Sequence, residues 1–376
     1  MTSTGDHDDW PMVDAGSALA ASAEMEAALG PELERERIQI SLSSRLRQPR
    51  TIISILIPLV VIGVFVSINA TQLARVPGLI AQADPRLAAI AFLIFYAGFP
   101  MRGARWAVLL RGTGTRIRVR DSTEIIFLSW LVNCVAPAKL GDVYRAYLLK
   151  INTAASLSRT FGTVFIERVL DLAAIALLGI AAGYWSFRDG LPAAIQLVFA
   201  IGLVVVAVLA VGLFTMRNFG RRILVALPFP TRFLELYDRF EEGVFGAIAI
   251  RQLPLLGGLT GSIWMTEALR LFMVVQAFGF TDVSLGLSGA VFVALIGSLL
   301  TAVPLSPAGL GIVEAGIVGV LTVAYGVPLA EATAIALLDR VISVFSIIVL
   351  GTAGYFVSSK PRGLAGTARP GKASSV

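Results

Sequence analysis

Long apolar segments dominate this sequence and restrict it to one class of fold. A run of roughly 17–25 apolar residues is long enough to cross a bilayer as a helix. Only 15% of the 376 residues are charged, whereas about 25% are charged in a typical soluble domain. The chain is therefore predicted to be an all-α, polytopic membrane protein. Six segments are predicted to be full spans: 51–69, 87–110, 160–185, 193–216, 254–279 and 330–357.

Two further apolar segments, 122–150 and 285–326, are interrupted by residues that disfavour a continuous helix. Proline removes a backbone donor, and glycine permits backbone angles that other residues avoid. Each segment is therefore predicted to form a broken-helix hairpin, which adds two hairpins to the six full spans. A second hairpin that crosses the membrane fully would raise the count to eight spans. The predicted break residues are Pro137, Pro304, Pro307, Gly309 and Gly311.

Positive charge in the short loops predicts how the chain is oriented. Arginines and lysines cluster just before 51–69 and just after 330–357, and the loops on the opposite side hold few. Both termini are therefore predicted to be cytoplasmic, with the protein in the plasma (inner) membrane. Three parts are predicted to lie outside the spans of the membrane domain, 51–357: a partly disordered leader, 1–50, an amphipathic linker, 217–252, and a tail, 358–376.

The counts of cysteine and histidine exclude several kinds of site. The chain has one cysteine, Cys134, which excludes a disulfide framework and a zinc site built from cysteines. It has one histidine, His7, which excludes histidine-ligated metals and Ser-His or Cys-His catalysis in the membrane domain. No cofactor and no metal is expected. The net charge of +6 favours an anionic membrane lipid as the partner, not nucleic acid. A separate lipid-modifying enzyme is a second candidate partner.

Two short motifs occur twice in the same order. The sequence Pro-Ala-Lys-Leu-Gly at 137–141 is similar to Pro-Ala-Gly-Leu-Gly at 307–311. The sequence Glu-Arg-Val-Leu at 167–170 is similar to Asp-Arg-Val-Ile at 339–342. The separation between the two copies is nearly the same for both motifs. Nearly equal separations for two ordered motifs indicate an internal repeat.

The repeat predicts the arrangement of the two halves. Its units are about 87–185 and 254–357, each a span, a hairpin and a span, and Arg105 of the first has a counterpart in Arg270 of the second. One extra span, 193–216, separates them, so the second unit is predicted to be inverted. Inverted repeats with broken helices are typical of membrane transporters.

Many ionisable residues lie in or beside the predicted spans. Each costs roughly 2.5–3.5 kcal/mol at a helix centre unless it is paired or hydrated. Two interpretations remain open, namely ion pairs that hold helices together and cations that line a cleft for an anionic headgroup. Arginine suits the second role, because its planar guanidinium binds phosphate bidentately. The predicted substrate-binding residues are Arg105, Lys139, Gly141, Asp142, Arg145, Arg168, Arg270 and Arg340. The predicted charge-pairing or coupling residues are Glu167, Asp171, Glu267, Glu314 and Asp339.

Helical spacing predicts some of these pairs. Glu267 and Arg270 are three residues apart, so they share a helix face. Asp339 and Arg340 are neighbours, so they project about 100° apart and need partners on different helices. Asp142 follows the first break and is interpreted either as a helix N-cap or as a substrate ligand.

Four tryptophans lie near predicted span ends or packing faces. Tryptophan is enriched at membrane–water interfaces. They are therefore interpreted as interfacial anchors: Trp106, Trp130, Trp185 and Trp264.

Six motifs follow one another between about 50 and 357. They are Arg102-x-x-Arg105-Trp106, Asn133-x-x-x-Pro137-x-Lys139-x-Gly141-Asp142-x-x-Arg145, Glu167-Arg168-x-x-Asp171, Glu267-x-x-Arg270, Pro304-x-x-Pro307-x-Gly309-x-Gly311-x-x-Glu314 and Asp339-Arg340. In this order they resemble the transmembrane region of lysylphosphatidylglycerol synthases and the wider flippase-like membrane proteins that share it. Ala308 departs from the resemblance, because the family usually has glycine at that position.

The resemblance implies translocation of a lipid between leaflets, commonly an aminoacylated phospholipid or another anionic or isoprenoid-linked lipid. The full synthases also carry a large soluble domain that makes the aminoacyl ester, and that domain is not in this sequence. The leading hypothesis is a lipid flippase-like transporter that is not an enzyme. The alternatives are an integral-membrane glycosyl- or phosphotransferase acting on a lipid-linked substrate, and a non-catalytic partner subunit of a lipid-modifying enzyme.

Overall fold

The regular structure in the described part of the chain is helical throughout. The computed structural model describes residues 67, 70–136, 139–153, 155–186, 215–226, 231–280, 285–301 and 306–362, together with scattered positions between 196 and 213. The predicted leader 1–50, nearly all of the run 51–69, much of the run 193–216 and most of the tail 358–376 lie outside these residues. All described residues belong to one unit that begins at residue 57.

The helices follow the order that the apolar pattern predicts. The short helices α1 (Ala70–Leu73) and α2 (Val76–Gln82) come before the first repeat unit. The first unit is α3 (Pro85–Gly112), α4 (Val119–Val135), α5 (Leu140–Asn152) and α6 (Leu157–Ser186). The linker holds a π-helical turn (Met216–Gly220), α7 (Arg221–Ala226), α8 (Thr231–Gly246) and a 3₁₀ turn (Ile250–Gln252). The second unit is α9 (Leu253–Phe278), α10 (Leu287–Leu300), a 3₁₀ turn (Pro307–Gly309), α11 (Ile312–Tyr325), α12 (Leu329–Arg340), a π-helical turn (Val341–Phe345) and α13 (Ser346–Val357).

Local sequence sets several helix ends. The side chain of Asp84 accepts a hydrogen bond from the backbone N–H of Arg86 (2.7 Å), and Pro85 occupies the first turn of α3. This pairing of an acidic N-cap with an N-terminal proline favours a helix start. Gly279 and Gly326 end α9 and α11 with φ angles of 58° and 66°. Both adopt the left-handed conformation that commonly terminates a helix.

Both predicted hairpins are confirmed as pairs of short helices around a break. In the first hairpin α4 contacts α5, and in the second α10 contacts α11. Lys139 in the first break has a φ of 53°, and the aligned Gly309 in the second has a φ of 69°. The neighbouring Ala308 also has a φ of 52°, which costs a residue with a Cβ about 1–2 kcal/mol. The break residues Pro137 and Pro304 lie outside the described part of the chain.

The helices α3 and α9 form an antiparallel pair with reciprocal contacts. As the residue numbers rise along α3, the numbers of their partners on α9 fall, which makes the helices antiparallel. The three contacts are Phe95 with the guanidinium of Arg270 (5.1 Å to the ring centroid), Arg102 with Glu267, and Arg105 with Thr260 (3.1 Å).

These contacts reveal a pseudo-two-fold axis between the two units. The positions of α9 that correspond to Phe95, Arg102 and Arg105 of α3 lie 165 residues later, at 260, 267 and 270. The same three positions of α9 supply the contact partners, but in reverse order. Such an exchange of equivalent contacts is how a two-fold axis relates two surfaces. Because α3 and α9 are antiparallel, the second unit runs opposite to the first, as the inverted repeat predicts.

One helix of each hairpin packs against the last helix of the other unit. Helix α4 of the first unit packs on α13 of the second, and α10 of the second unit packs on α6 of the first. Each hairpin therefore covers the last helix of the other unit. These contacts between the units enclose the space between α3, α9 and the two breaks.

Several helices suit a membrane. Among the described residues, three helical segments are long and apolar enough to cross one: Pro85–Gly112, Pro307–Tyr325 and Leu329–Val357. The segments Phe233–Gly246 and Ile250–Phe278 qualify together as one span bent by 49°. The all-α, polytopic membrane fold predicted from the sequence is confirmed.

The amphipathic helix predicted in the linker forms as α8, and one of its faces packs on α6. The Oγ of Ser158 donates a hydrogen bond to the carbonyl of Leu236 (2.5 Å), and Val244 is fully buried. A Cβ at Gly243 would lie 2.1 Å from the carbonyl oxygen of Arg159, so the two helices meet closely at a glycine. Helix α8 is therefore a packed part of the protein.

Gly141→Ala is expected to destabilise the first hairpin by about 1–3 kcal/mol, the usual cost of overpacking. A Cβ at this position would lie 2.0 Å from the carbonyl oxygen of Ser129 on α4. Gly257→Ala on α9 is the matched control, because an added Cβ there meets nothing within 4 Å. The control is expected to gain roughly 0.5–1 kcal/mol from helix propensity. Thermal unfolding of the purified variants measures both, and equal midpoints would contradict the predicted close packing.

Candidate functional site

A cavity of about 200 Å³ lies where the two units meet. Its volume is below the roughly 300–1,000 Å³ of pockets that hold a drug-sized ligand, so it suits a headgroup better than a whole lipid. Both units contribute charged side chains to it. Six cations line the cavity: Arg102, Arg105, Lys139, Arg168, Arg270 and Arg340. Four carboxylates line it as well: Glu167, Asp171, Glu267 and Asp339.

A carboxylate at the pseudo-two-fold axis joins the two units. Glu267 accepts hydrogen bonds from Arg102 of the first unit and from Arg270 of its own unit. Arg270 also donates to both oxygens of Asp339, from Nε (2.8 Å) and from Nη2 (3.1 Å). The predicted pair between Glu267 and Arg270 is confirmed. All four side chains are buried, where removing one partner of an ion pair is costly.

A second network belongs to the first unit and centres on Asp171. Arg105 donates to both oxygens of Asp171 (2.6 and 3.3 Å) and lies 3.3 Å from Glu167. Arg168 donates to Asp171 (3.4 Å) and to Asp142 (3.0 Å). Glu167 and Asp171, which are four residues apart on α6, therefore both contact Arg105.

The ion pairs themselves are repeated. Two pairs of the first unit have equivalents in the second. Arg105, Glu167 and Arg168 correspond to Arg270, Asp339 and Arg340. Asp142 and Glu314 are two positions out of register with the aligned motif, but each lies in the first turn of the helix that follows a break. The repeated pairs are Arg105–Glu167 with Arg270–Asp339, and Arg168–Asp142 with Arg340–Glu314. This duplication supports the repeat more strongly than the short motifs do.

Arg340 holds the second break in place. Its Nε donates to Glu314 (2.7 Å), and its Nη2 donates to the carbonyl of Ala308 (2.6 Å). Glu314 in turn accepts from the backbone N–H of Gly311 (2.7 Å). Arg340 and Asp339 thus find partners on different segments, as their spacing predicts. Among the described break residues Pro307, Gly309 and Gly311, Gly309 alone lines the cavity.

Three predicted substrate-binding residues contact protein instead of lining the cavity. Arg145 is 1% exposed, donates to both oxygens of Glu167 (3.1 and 3.2 Å) and lies 4.9 Å from the ring centroid of Trp106. Asp142 lies in the first turn of α5 and pairs with Arg168, so the alternative of an N-cap is wrong. The N–H of Gly141 donates to the side chain of Asn133 (2.8 Å).

The interpretation of the tryptophans as interfacial anchors is wrong for three of the four. Trp106 is fully buried, and the guanidinium of Arg102 lies 4.7 Å from the ring centroid of Trp130. The indole N–H of Trp264 donates to Asp171 (3.3 Å). Trp130 and Trp264 both line the cavity, as does Arg102, which sequence reasoning left out of the binding set. Helical periodicity could have indicated Trp264, which lies one turn before Glu267.

Comparison with known proteins identifies the family. A family model described as lysylphosphatidylglycerol synthase TM region matches residues 51–351. A UPF0104 membrane protein of Methanocaldococcus jannaschii is 36% identical over 60% of this chain and 93% of its own length. One from Methanothermobacter thermautotrophicus is 30% identical over 80% of this chain and 95% of its own. The glycosyltransferase AglD of Haloferax volcanii is 28% identical over 88% of this chain but only 58% of its own length. This chain is therefore an integral membrane protein that belongs to the family of the lysylphosphatidylglycerol synthase transmembrane region.

Proposed function

We propose that this protein moves an anionic or aminoacylated phospholipid, or an isoprenoid-linked lipid, between the two leaflets of the membrane. One observation carries the proposal: two inverted units enclose a headgroup-sized cavity that six cationic side chains line. Buried guanidinium groups remain charged and can bind phosphate oxygens bidentately. Substrate sites at the interface between inverted repeats are typical of transporters.

The two hairpins supply two gates in this proposal. Each break borders the cavity, at Lys139 in the first unit and at Gly309 in the second. Inversion of the units would direct the two breaks to opposite leaflets, so that a headgroup could enter past one and leave past the other. The basic residues near both chain ends support cytoplasmic termini.

The name of one relative raises the alternative of a glycosyltransferase. The four carboxylates at the cavity each accept a hydrogen bond from an arginine or lie in an ion pair with one. A transferase would need a carboxylate placed to act as a base or to hold a metal. The paired state of these groups supports transport over catalysis. Product formed from a nucleotide-sugar or polyprenyl-phosphate donor by the purified protein would instead support the alternative.

Reconstitution into vesicles tests the proposal. Fluorescent phosphatidylglycerol is placed in both leaflets, and a membrane-impermeant quencher reports how fast the inner pool reaches the outer leaflet. Wild-type protein is expected to accelerate exchange well above protein-free vesicles. Arg168→Ala and Arg340→Ala are each expected to slow it about tenfold, the effect of roughly 1.4 kcal/mol of lost interaction.

Arg159→Ala is the control variant. Arg159 forms an exposed ion pair with Glu242 (2.5 Å) and does not line the cavity. This variant is expected to retain the wild-type rate. Equal rates in the wild type, Arg168→Ala and Arg340→Ala would overturn the proposal, provided that the melting temperatures show all of the proteins to be folded.

A further inference from the structure

The charges around the cavity balance except at one residue. Every arginine of the cluster lies in an ion pair: Arg102, Arg105, Arg145, Arg168, Arg270 and Arg340. Six carboxylates provide the partners: Asp142, Glu167, Asp171, Glu267, Glu314 and Asp339. Lys139 lines the same cavity but forms no ion pair within the described residues. The cluster therefore carries one uncompensated positive charge.

Lys139 shares the cavity with a second cation, Arg168, that has spare hydrogen-bonding capacity. Both side chains line the cavity, and the carboxylates that Arg168 contacts, those of Asp142 and Asp171, already accept hydrogen bonds from it. The side chain of Arg168 is 38% exposed and lines the cavity, and its hydrogen bonds to Asp171 and Asp142 use only two of the five N–H donors of a guanidinium. Two cations that line one cavity repel each other, and an anion bound between them removes that repulsion.

The equivalent corner of the second unit lacks these features. Gly309 stands in place of Lys139 and carries no charge. Arg340, the counterpart of Arg168, is 12% exposed and donates to Glu314 and to the carbonyl of Ala308. The pseudo-two-fold cavity is therefore electrostatically one-sided, with its free positive charge on the first unit.

We propose that a single phosphodiester group with one negative charge binds between Lys139 and Arg168. This inference rests on the proposed function and narrows its substrate class. A phosphate monoester carries about −1.5 to −2 at pH 7, so it would overcompensate the one free charge. A phosphodiester neutralises the charge of the cluster. A headgroup with an added quaternary ammonium brings a cation to a site that is already positive.

Binding of short-chain lipids to the full protein in detergent tests this. The probes are dihexanoyl phosphatidylglycerol as a phosphodiester monoanion, dihexanoyl phosphatidic acid as a monoester and dihexanoyl phosphatidylcholine as a zwitterion. The wild type is expected to bind phosphatidylglycerol at least about tenfold more tightly than either of the others, a difference of about 1.4 kcal/mol. Glycerophosphoglycerol, the same headgroup without acyl chains, is added as a fourth probe. If glycerophosphoglycerol binds as tightly as dihexanoyl phosphatidylglycerol, the result would support the subsite and assign the subsite to a soluble phosphodiester.

Substitutions at Lys139 remove the charge without disturbing the backbone. Lys139 has a left-handed backbone, which asparagine and aspartate tolerate better than most residues. Lys139→Asn is expected to weaken phosphatidylglycerol binding about tenfold, and Lys139→Asp more. Lys139→Arg and the distant Arg159→Ala are expected to retain the affinity. Unchanged affinity in Lys139→Asn, or tighter binding of phosphatidic acid by the wild type, would overturn the proposal.

The vesicle assay separates this proposal from the proposed function. If the wild type exchanges lipid and Lys139→Asn binds phosphatidylglycerol as tightly as the wild type, the proposed subsite would be overturned and the proposed transport would still be supported. Phosphatidylglycerol binding that depends on Lys139, without lipid exchange by the wild type, would support the subsite and overturn transport.

Discussion

Replacing Glu267 with alanine is expected to lower the free energy of unfolding by about 3–5 kcal/mol, the cost of removing one partner from a buried ion pair. Glu267 accepts hydrogen bonds from Arg102 and Arg270, and all three side chains are buried. The substitution leaves Arg102 without an anionic partner within hydrogen-bonding distance. It also removes the carboxylate that connects the two units. Reversible unfolding in mixed micelles measures the change.

The control for this prediction is Glu242→Ala. Glu242 is also paired with an arginine, Arg159, but both side chains are exposed. Exposed ion pairs contribute at most about 1 kcal/mol. Similar losses of unfolding free energy in Glu267→Ala and Glu242→Ala would show that the buried contact between the units stabilises the protein no more than an exposed ion pair does.

Arg145→Ala is expected to have a comparable effect, about 3–5 kcal/mol, for a different reason. Arg145 donates to both oxygens of Glu167 and lies over the ring of Trp106. Alanine removes the cation and leaves a void beside a fully buried indole. Arg145→Lys keeps the charge but loses the planar fork and the stacking, so it is expected to lose less than Arg145→Ala. Thermal unfolding of the wild type, Arg145→Lys and Arg145→Ala measures the order of their stabilities.

This prediction also separates packing from lipid binding. Arg145 does not line the cavity, so Arg145→Lys is expected to keep the wild-type order of affinities for the lipid probes. Arg221→Ala serves as the stability control, since Arg221 forms an exposed pair with Asp238 (3.4 Å). A changed lipid preference in Arg145→Lys would return Arg145 to the binding site that the sequence predicted.

Local pattern in the sequence was enough to predict much of the fold. The apolar runs predicted α3, α6, α9 and the segment Leu329–Val357, and proline and glycine predicted both breaks. The similarity between 137–141 and 307–311 predicted the repeat. These features depend on helical period, length and backbone preference, all of which are properties of short segments.

Contacts between distant segments could be predicted only in part. The pair of Arg102 and Glu267 joins two helices that lie far apart along the chain, and nothing in the local spacing indicates it. For the same reason the sequence could not show that Arg145 faces protein while Arg168 faces the cavity. The left-handed backbone of Lys139 also went unpredicted, since lysine has no preference for it.

The contact between Arg102 and Glu267 has a consequence for assembly. Both residues occupy the same place in their respective units, so two copies of one unit would bring arginine against arginine, or glutamate against glutamate. Like charges at close range in an apolar setting would drive such copies apart. Opposite charges meet at that point only when a first unit packs against a second unit. The pair therefore favours association of the two different units over association of two identical ones.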